Sequence, residues 1–223
     1  MSENETDLDR LAAVQRRIAR AVRECGRRAE DVRLVCVTKT VPAERIATII
    51  EAGCRDFGEN RVQEAAAKWP ALQRARPDLC LRLIGPLQTN KVREAVRVFD
   101  AIESVDRPKL AAELAKEMAR SGKTPRVYIQ VNIGEEPQKA GVLPQAADEF
   151  IHHCRNRLGL NIEGLMCIPP ADQLASPYFA LLANLAARNG LQRLSMGMTS
   201  DFELAIQLGA TEVRIGSAIF GGR

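Results

Sequence analysis

Residues 34–51 are Leu-Val-Cys-Val-Thr-Lys-Thr-Val-Pro-Ala-Glu-Arg-Ile-Ala-Thr-Ile-Ile-Glu, and this stretch sets the expectation for the whole fold. Residues 34–37 are apolar and rich in β-branched side chains, which is typical of a buried strand. From Ala43 onward the apolar side chains recur at helical spacing. Lys39 lies between the two, just past the end of the strand. The stretch therefore predicts a strand, a loop that carries a lone amine, and a helix.

The same pattern recurs along the rest of the chain. Eight short β-rich runs are predicted in all, at residues 34–37, 54–57, 81–84, 101–104, 127–131, 162–166, 192–195 and 212–215. Helical stretches lie between them, at residues 43–51, 61–68, 91–98, 108–120, 145–155, 178–188 and 202–207, with Trp69-Pro70 as the end of the second. This alternation predicts a parallel sheet, and eight units in about 190 residues predict closure into a (β/α)₈ barrel. A doubly wound open sheet is the alternative.

A helix is also predicted ahead of the first strand. Apolar side chains recur at helical spacing over residues 7–24, at Leu8, Leu11, Val14, Ile18 and Val22, and Gly26 is expected to end the helix. No linker or low-complexity segment interrupts the chain. We therefore expect one domain over residues 1–223, with residues 1–30 leading into the barrel.

Composition and charge indicate a globular protein without a polyanionic partner. Hydrophobic residues make up 46% of the chain and charged residues 27%. The net charge of +4 comes from 32 basic and 28 acidic residues spread along the chain, so we expect a solvated surface and no nucleic-acid binding. No run approaches about 18 apolar residues, and we expect no membrane segment.

The six cysteines are far apart, and no Cys-x-x-Cys or short Cys/His spacing suggests a metal site. Free thiols fit a reducing compartment, so a cytoplasmic protein is expected. Residues 1–7 are acidic and polar, which does not fit a secretory signal.

The residues that follow the predicted strands indicate the chemistry, because a parallel barrel builds its functional face there. Lys39 follows the first strand, and burial of its amine would make it less basic and nucleophilic toward an aldehyde. Small and hydroxyl residues after strands seven and eight (195–201 and 216–217) are suited to hold phosphate through backbone N–H groups and a helix dipole. The alternative for Ser200 is a helix cap, because residues 200–203 also form a capping-box sequence.

Arg214 is a charged residue within an apolar strand, on the opposite face from Val213 and Ile215. A guanidinium inside the barrel needs a partner, which a pyridine nitrogen could supply. A buried ion pair with a barrel carboxylate such as Glu59 is the alternative. A phosphate site, a strand-end lysine and this arginine together suggest a phosphorylated carbonyl compound, and pyridoxal 5′-phosphate is the obvious one.

These segments closely resemble the pyridoxal-phosphate homeostasis proteins, or YggS/PROSC family, single-domain relatives of the alanine racemase barrel. The matching stretches are Val-Thr-Lys-Thr (37–40), Phe-Gly-Glu-Asn (57–60), Ile-Gly-Pro-Leu-Gln-Thr-Asn-Lys (84–91), Ser-Met-Gly-Met-Thr-Ser-Asp (195–201) and Arg-Ile-Gly-Ser-Ala-Ile-Phe-Gly (214–221). One departure is Arg82, where the family usually has histidine. The resemblance implies an alanine racemase-type (β/α)₈ barrel with pyridoxal 5′-phosphate as cofactor.

The resemblance also implies a role for eight residues. Lys39 would carry the covalent aldimine, Arg214 would face the pyridine nitrogen, and Asn60 and Met198 would line the ring. The phosphate would be held by Ser200, Gly216 and Ser217, helped by Thr199.

The function implied is a carrier or reservoir of the cofactor in vitamin B6 homeostasis, with no catalysis of its own. An arginine beside the ring nitrogen keeps that nitrogen unprotonated and weakens the ring as an electron sink. The tyrosine base of alanine racemase comes from a second domain, whereas Tyr128 and Tyr178 do not follow barrel strands. We expect a monomer that releases cofactor to apoenzymes. A racemase-like catalyst and an aldolase-type barrel with a lysine for sugar phosphates are the alternatives.

Overall fold

The structure is a computed structural model that describes residues 5–222. Eight parallel strands form a closed barrel in chain order. They are β1 (Arg33–Val37), β2 (Asp56–Glu59), β3 (Cys80–Leu83), β4 (Ala101–Val105), β5 (Arg126–Val131), β6 (Ile162–Cys167), β7 (Arg193–Ser195) and β8 (Glu212–Ile215). The ring closes where Cys36 of β1 pairs with Ile215 of β8. The predicted barrel is confirmed, and the open sheet is excluded.

Helices surround the barrel: one precedes the first strand, one follows the last, and the others connect successive strands. They are α1 (Asp7–Glu24), α2 (Ala43–Glu51), α3 (Val62–Ala75), α4 (Val92–Val98), α5 (Pro108–Ser121), α6 (Ala147–Asn156), α7 (Ser176–Arg188), α8 (Phe202–Gln207) and α9 (Ser217–Phe220). The apolar core lies between the strands and the buried faces of these helices. The predicted strands and helices agree with these bounds to within a few residues, apart from α3 and the unpredicted α9.

The predicted end of helix α3 at Trp69-Pro70 is wrong, because the helix continues to Ala75. Pro70 removes one backbone N–H from the helix interior, which usually ends a helix. Here the buried Trp69 anchors the helix, because its indole packs against Phe57 and donates a hydrogen bond to Glu59. Tertiary packing therefore outweighs the local preference for a break.

Helix α1 covers the outside of the barrel near the point of closure. Its N-terminus has a capping box between Thr6 and Asp9, and Gly26 follows its end with a φ of +66°. The buried face of α1 packs against α2, α8 and α9. Arg10 Nε of α1 donates to the carbonyl of Ile219 in α9 at 2.7 Å. The predicted leading helix is therefore part of the packed barrel.

Among residues 5–222, no helix is both long enough and apolar enough to cross a lipid bilayer. All six cysteines are free thiols.

Candidate functional site

The predicted site residues follow four neighbouring strands. Val37 of β1 pairs with Gly58 of β2, and Cys36 pairs with Ile215 of β8, so the ends of β2, β1 and β8 are adjacent. Strand β7 is joined to β8 by a hydrogen bond from Arg214 N to Gly197 O at 3.0 Å. The loops after these strands carry Asn60, Lys39, Gly216 with Ser217, and Met198 with Thr199 and Ser200. One side of the barrel mouth therefore contains the predicted site.

Lys39 lies at this mouth with an exposed side chain. It lines a cavity of about 250 Å³ together with Thr40, Asn60, Arg61 and Glu64. Lys39 stands two residues beyond the end of β1, where the barrel wall no longer covers it. Its amine is accessible to a ligand in the cavity.

Asn60 is half-buried and its position depends on a glycine of the next loop. A Cβ atom on Gly85 would lie 2.3 Å from the carbonyl oxygen of Asn60, so only glycine permits this approach. Sequence reasoning did not assign this role to Gly85, although the segment 84–91 contains it. Close approach of the two loops places Asn60 at the cavity.

The loops after β7 and β8 meet at two of the predicted phosphate residues. Ser217 Oγ donates to Thr199 Oγ1 at 3.2 Å. Across the part of the chain that the structure describes, the backbone N–H groups of Thr199, Ser200, Gly216 and Ser217 donate to no backbone acceptor. Helices α8 and α9 have only six and four residues. An anion at this point would therefore be bound by the free N–H groups more than by a helix dipole.

The capping-box alternative for Ser200 is wrong. The residue before α8 is Asp201, and its side chain accepts a hydrogen bond from Met198 N at 2.6 Å. Glu203 turns outward and forms an ion pair with Arg17 of α1 at 2.8 Å. Ser200 is exposed, and both nearby acids are engaged elsewhere. Met198 itself is half-buried between this loop and the barrel.

Arg214 points into the barrel, with 4% of its surface exposed. Its Nη1 donates to Ser195 Oγ at 2.7 Å, and its Nη2 donates to the Cys167 carbonyl at 2.8 Å. The alternative ion pair with Glu59 is wrong, because Glu59 pairs with Lys68 at 2.7 Å. Among the ion pairs within residues 5–222, none involves Arg214. The guanidinium is held by neutral groups.

Further inside the barrel, a series of buried hydrogen bonds and ion pairs begins at Arg214. Ser195 Oγ donates to Glu103 Oε2 at 2.5 Å, and Glu103 Oε1 pairs with Arg82 Nη1 at 2.9 Å. Arg82 also pairs with Asp56 at 2.8 Å. Burial by itself would lower the pKa of Arg82, but the negative charges of the carboxylates of Glu103 and Asp56 raise it above the usual value. Arg82 thus remains charged. It is linked to Arg214 indirectly, through Glu103 and Ser195.

Comparison with known proteins identifies the family. The profile described as "Alanine racemase, N-terminal domain" matches residues 10–223. A pyridoxal phosphate homeostasis protein of Aquifex aeolicus is 40% identical over 226 residues, which cover 96% of this chain and 97% of that protein. The chain belongs to the pyridoxal phosphate homeostasis protein family.

Solved structures that are similar to this chain have the same fold. A protein from Bifidobacterium adolescentis superposes with a TM-score of 0.90 at 35% identity, covering 96% of this chain and 94% of that chain. PipY of Synechococcus elongatus, with pyridoxal phosphate bound, superposes with a TM-score of 0.79 at 38% identity, covering 92% of this chain and all of PipY. The single-domain barrel predicted from the sequence is the fold of this family.

The chain has two tyrosines, Tyr128 and Tyr178. Tyr128 lies within β5, is buried, and donates to Glu212 Oε1 at 3.2 Å. Burial, followed by the charge of Glu212, raises the pKa of its phenol well above the usual value. Tyr178 lies in α7 and bonds to Gln173. Neither tyrosine lines the cavity beside Lys39.

Proposed function

We propose that this protein binds pyridoxal 5′-phosphate at the barrel mouth and acts as a carrier or reservoir in vitamin B6 homeostasis, without catalysis of its own. One observation carries the proposal: the loops after β7 and β8 present free backbone N–H groups and hydroxyls beside the loop of Lys39. A phosphate group and an aldehyde on one small molecule match this pair of features.

The residues present fit the cofactor. The phosphate would be held by Thr199, Ser200, Gly216 and Ser217, since their N–H groups are free to donate. Gly216 has no side chain, so the backbone there can come close to the phosphate. A Cβ on Gly216 would lie 3.2 Å from Val37, so a larger residue would narrow the space between β8 and β1. When bound, the cofactor supplies an aldehyde, and a primary amine condenses with it to form a C=N bond and one water molecule.

Other side chains would bind the aldehyde and the ring. Lys39 would supply the amine, because it lines the cavity and forms no ion pair within residues 5–222. Asn60 and Met198 would line the ring, and Arg214 would face the ring nitrogen. PipY, which is 38% identical to this chain, has pyridoxal phosphate bound, and this supports the proposal.

The proposed lack of catalysis follows from the groups near Lys39. Carbanion chemistry needs a second group that accepts or donates a proton. Glu64 is the acid that lines the cavity, and its Oε1 already accepts from Thr40 N at 2.6 Å. Tyr128 stays protonated inside the barrel because its phenol has a raised pKa. Arg214, beside an unprotonated ring nitrogen, would leave the ring a weak electron sink.

We further propose that the protein acts as a monomer in the cytoplasm and releases cofactor to apoenzymes through transient contact. Six free thiols favour a reducing compartment.

The binding proposal is tested by adding pyridoxal 5′-phosphate to the purified protein. We expect a visible absorbance band that borohydride reduction fixes, and peptide mapping should find the label on Lys39. Lys39→Ala should lose the band, whereas Lys91→Ala, which removes another lysine near the mouth, should keep it. A protein that stays colourless, or a label on a different lysine, would contradict the proposal. An aldolase-type barrel would give no such band.

The lack of catalysis is tested on the loaded protein. Incubation with L- and D-alanine should give neither racemisation nor transamination above the rate of free pyridoxal 5′-phosphate. Turnover at ordinary enzyme rates, of about 1 s⁻¹ or faster, would support the racemase-like alternative instead.

A further inference from the structure

Lys68 of helix α3 forms hydrogen bonds with the loop that carries Lys39, residues 38–41. Lys68 Nζ donates to the carbonyl of Thr38 at 2.8 Å and to the carbonyl of Val41 at 3.1 Å. These two carbonyls flank Lys39 and Thr40 in the chain. One ammonium group therefore fixes both ends of a four-residue loop.

Two carboxylates complete this cluster. Lys68 Nζ lies 2.7 Å from Glu59 Oε1 and 3.2 Å from Glu64 Oε1. Glu59 Oε1 also accepts from Thr38 Oγ1 at 2.7 Å, and Glu64 Oε1 accepts from Thr40 N at 2.6 Å. Each carboxylate thus bonds both to Lys68 and directly to the loop.

The backbone of the loop needs such support. Thr40 has a φ of +62°, a left-handed conformation that is unfavourable for a β-branched residue. Strained conformations of this kind persist only where the surroundings hold them. Two contacts hold it here: Thr40 N donates to Glu64, and Val41 N donates to the carbonyl of Thr38 at 3.0 Å. Lys68 bonds to both acceptors, the Glu64 carboxylate and the Thr38 carbonyl.

Burial makes the cluster effective. The side chain of Glu59 is fully buried, and 11% of that of Lys68 is exposed. Water and salt therefore screen the charges much less than at the surface. Lys68 is not itself a rival for the aldehyde, because its three N–H donors already face two carbonyls and two carboxylates.

We infer that Lys68, together with Glu59 and Glu64, is a positioning residue that aims the amine of Lys39 into the cavity. This inference rests on the proposed function, since it concerns the reaction of Lys39 with the aldehyde of pyridoxal 5′-phosphate. Loss of the Lys68 charge should free the loop, so that the amine spends less time where the aldehyde is held.

A ligand without the aldehyde separates positioning from general structural damage. Pyridoxine 5′-phosphate has the same ring and phosphate but carries a hydroxymethyl group, so it cannot condense with Lys39. A residue that positions Lys39 should affect binding of the aldehyde only. A residue that merely supports the fold should affect both ligands alike.

The experiment measures the dissociation constants of both ligands by spectroscopic titration. For Lys68→Met we expect about tenfold weaker binding of pyridoxal 5′-phosphate, approaching that of Lys39→Met, with pyridoxine 5′-phosphate unchanged within about twofold. Lys68→Arg keeps a cation with several donors and should recover part of the loss. Lys116→Met, an exposed lysine of α5, is the matched control and should match the wild type.

Amide hydrogen exchange without ligand gives an independent readout. Thr40 N–H should exchange faster in Lys68→Met than in the wild type, because its acceptor Glu64 loses its own partner. Glu64→Gln removes the charge that pairs with Lys68 but keeps an acceptor oxygen. If Lys68→Met folds poorly, the binding of pyridoxal 5′-phosphate and pyridoxine 5′-phosphate is compared in Glu64→Gln instead.

The possible failures are distinguishable. A wild-type protein that does not bind pyridoxal 5′-phosphate contradicts the proposed function and overturns this inference with it. Normal wild-type binding with an unaffected Lys68→Met, or equal weakening of both ligands, overturns the inference and leaves the proposed function intact.

Discussion

At the scale of single residues, Glu212 shows how the barrel interior alters an ordinary acid. Its carboxylate is buried and accepts hydrogen bonds from the hydroxyls of Tyr128 and Thr211. Burial raises the pKa of this carboxyl above the usual 4.5, and the charge of Arg82 only partly opposes the shift. The folded state therefore binds a proton at pH values where the unfolded chain has lost it.

This difference predicts a pH-dependent stability. The protonated Glu212 stabilises the fold below pH 4.5, and that contribution is lost as pH rises through the folded pKa. Glu212→Gln has no such proton to lose. We expect the free energy of unfolding of Glu212→Gln, measured relative to the wild type in urea titrations, to increase as pH rises from about 4.5 to about 7.5, so that the variant becomes relatively more stable.

Glu44→Gln, an exposed acid of α2, is the surface control for this series. A stability difference between Glu212→Gln and the wild type that stays constant with pH would contradict the prediction.

At the scale of elements, helix α3 connects the fold to the site. It places Trp69 in the core and Lys68 and Glu64 beneath the loop of Lys39. Pro70 interrupts its hydrogen bonds, since the carbonyl of Ala66 lacks the helical donor four residues later. The buried Trp69, packed against Phe57 and bonded to Glu59, keeps the helix continuous.

Pro70→Ala should therefore stabilise the protein. Alanine restores the missing N–H and has the highest helix propensity, while the gain is partly offset because the unfolded chain becomes more flexible. We expect the free energy of unfolding to rise by about 1 kcal/mol in urea denaturation.

Ala71→Gly tests the same turn of the helix in the opposite direction and should cost about 1 kcal/mol. If neither substitution changes stability, the helix does not continue past Trp69.

At the scale of the whole molecule, a chain of buried polar groups joins distant strands across the barrel. It runs from Asp56 of β2 through Arg82 of β3 and Glu103 of β4 to Ser195 of β7 and Arg214 of β8. The resemblance described from the sequence implies a histidine at the position of Arg82. A guanidinium there can form ion pairs with two carboxylates at once, which a neutral imidazole cannot.

Removal of this cation should destabilise the whole barrel. Arg82→Met leaves the carboxylates of Asp56 and Glu103 buried without their partner, and we expect a loss of about 3–5 kcal/mol in the free energy of unfolding. The double variant with Glu103→Gln removes one unpaired charge and should lose less than the sum of the two single substitutions.

Additive effects in this cycle, measured by urea denaturation, would show that Arg82 and Glu103 do not interact energetically.

The architecture was predictable because strand and helix periods are local. Residues 34–37 and 43–51 already show both periods. Six further strand–helix pairs and a last strand follow, and a closed parallel barrel accommodates all eight strands. The loops that hold the candidate site were predictable for the same reason, since a barrel places the residues after its strands at one face.

Side-chain partners were not predictable, because they depend on residues far apart in sequence. Ser195 and Glu103 are 92 positions apart, yet their hydrogen bond determines what Arg214 contacts. Local rules also failed where packing opposed them, as at Pro70 and at the start of α8. The sequence by itself thus determined the barrel, the family motifs and the position of Lys39 in the chain. Only the tertiary structure decided that Lys39 is exposed and that Lys68 supports it, because burial and buried charge pairing arise when distant segments pack together.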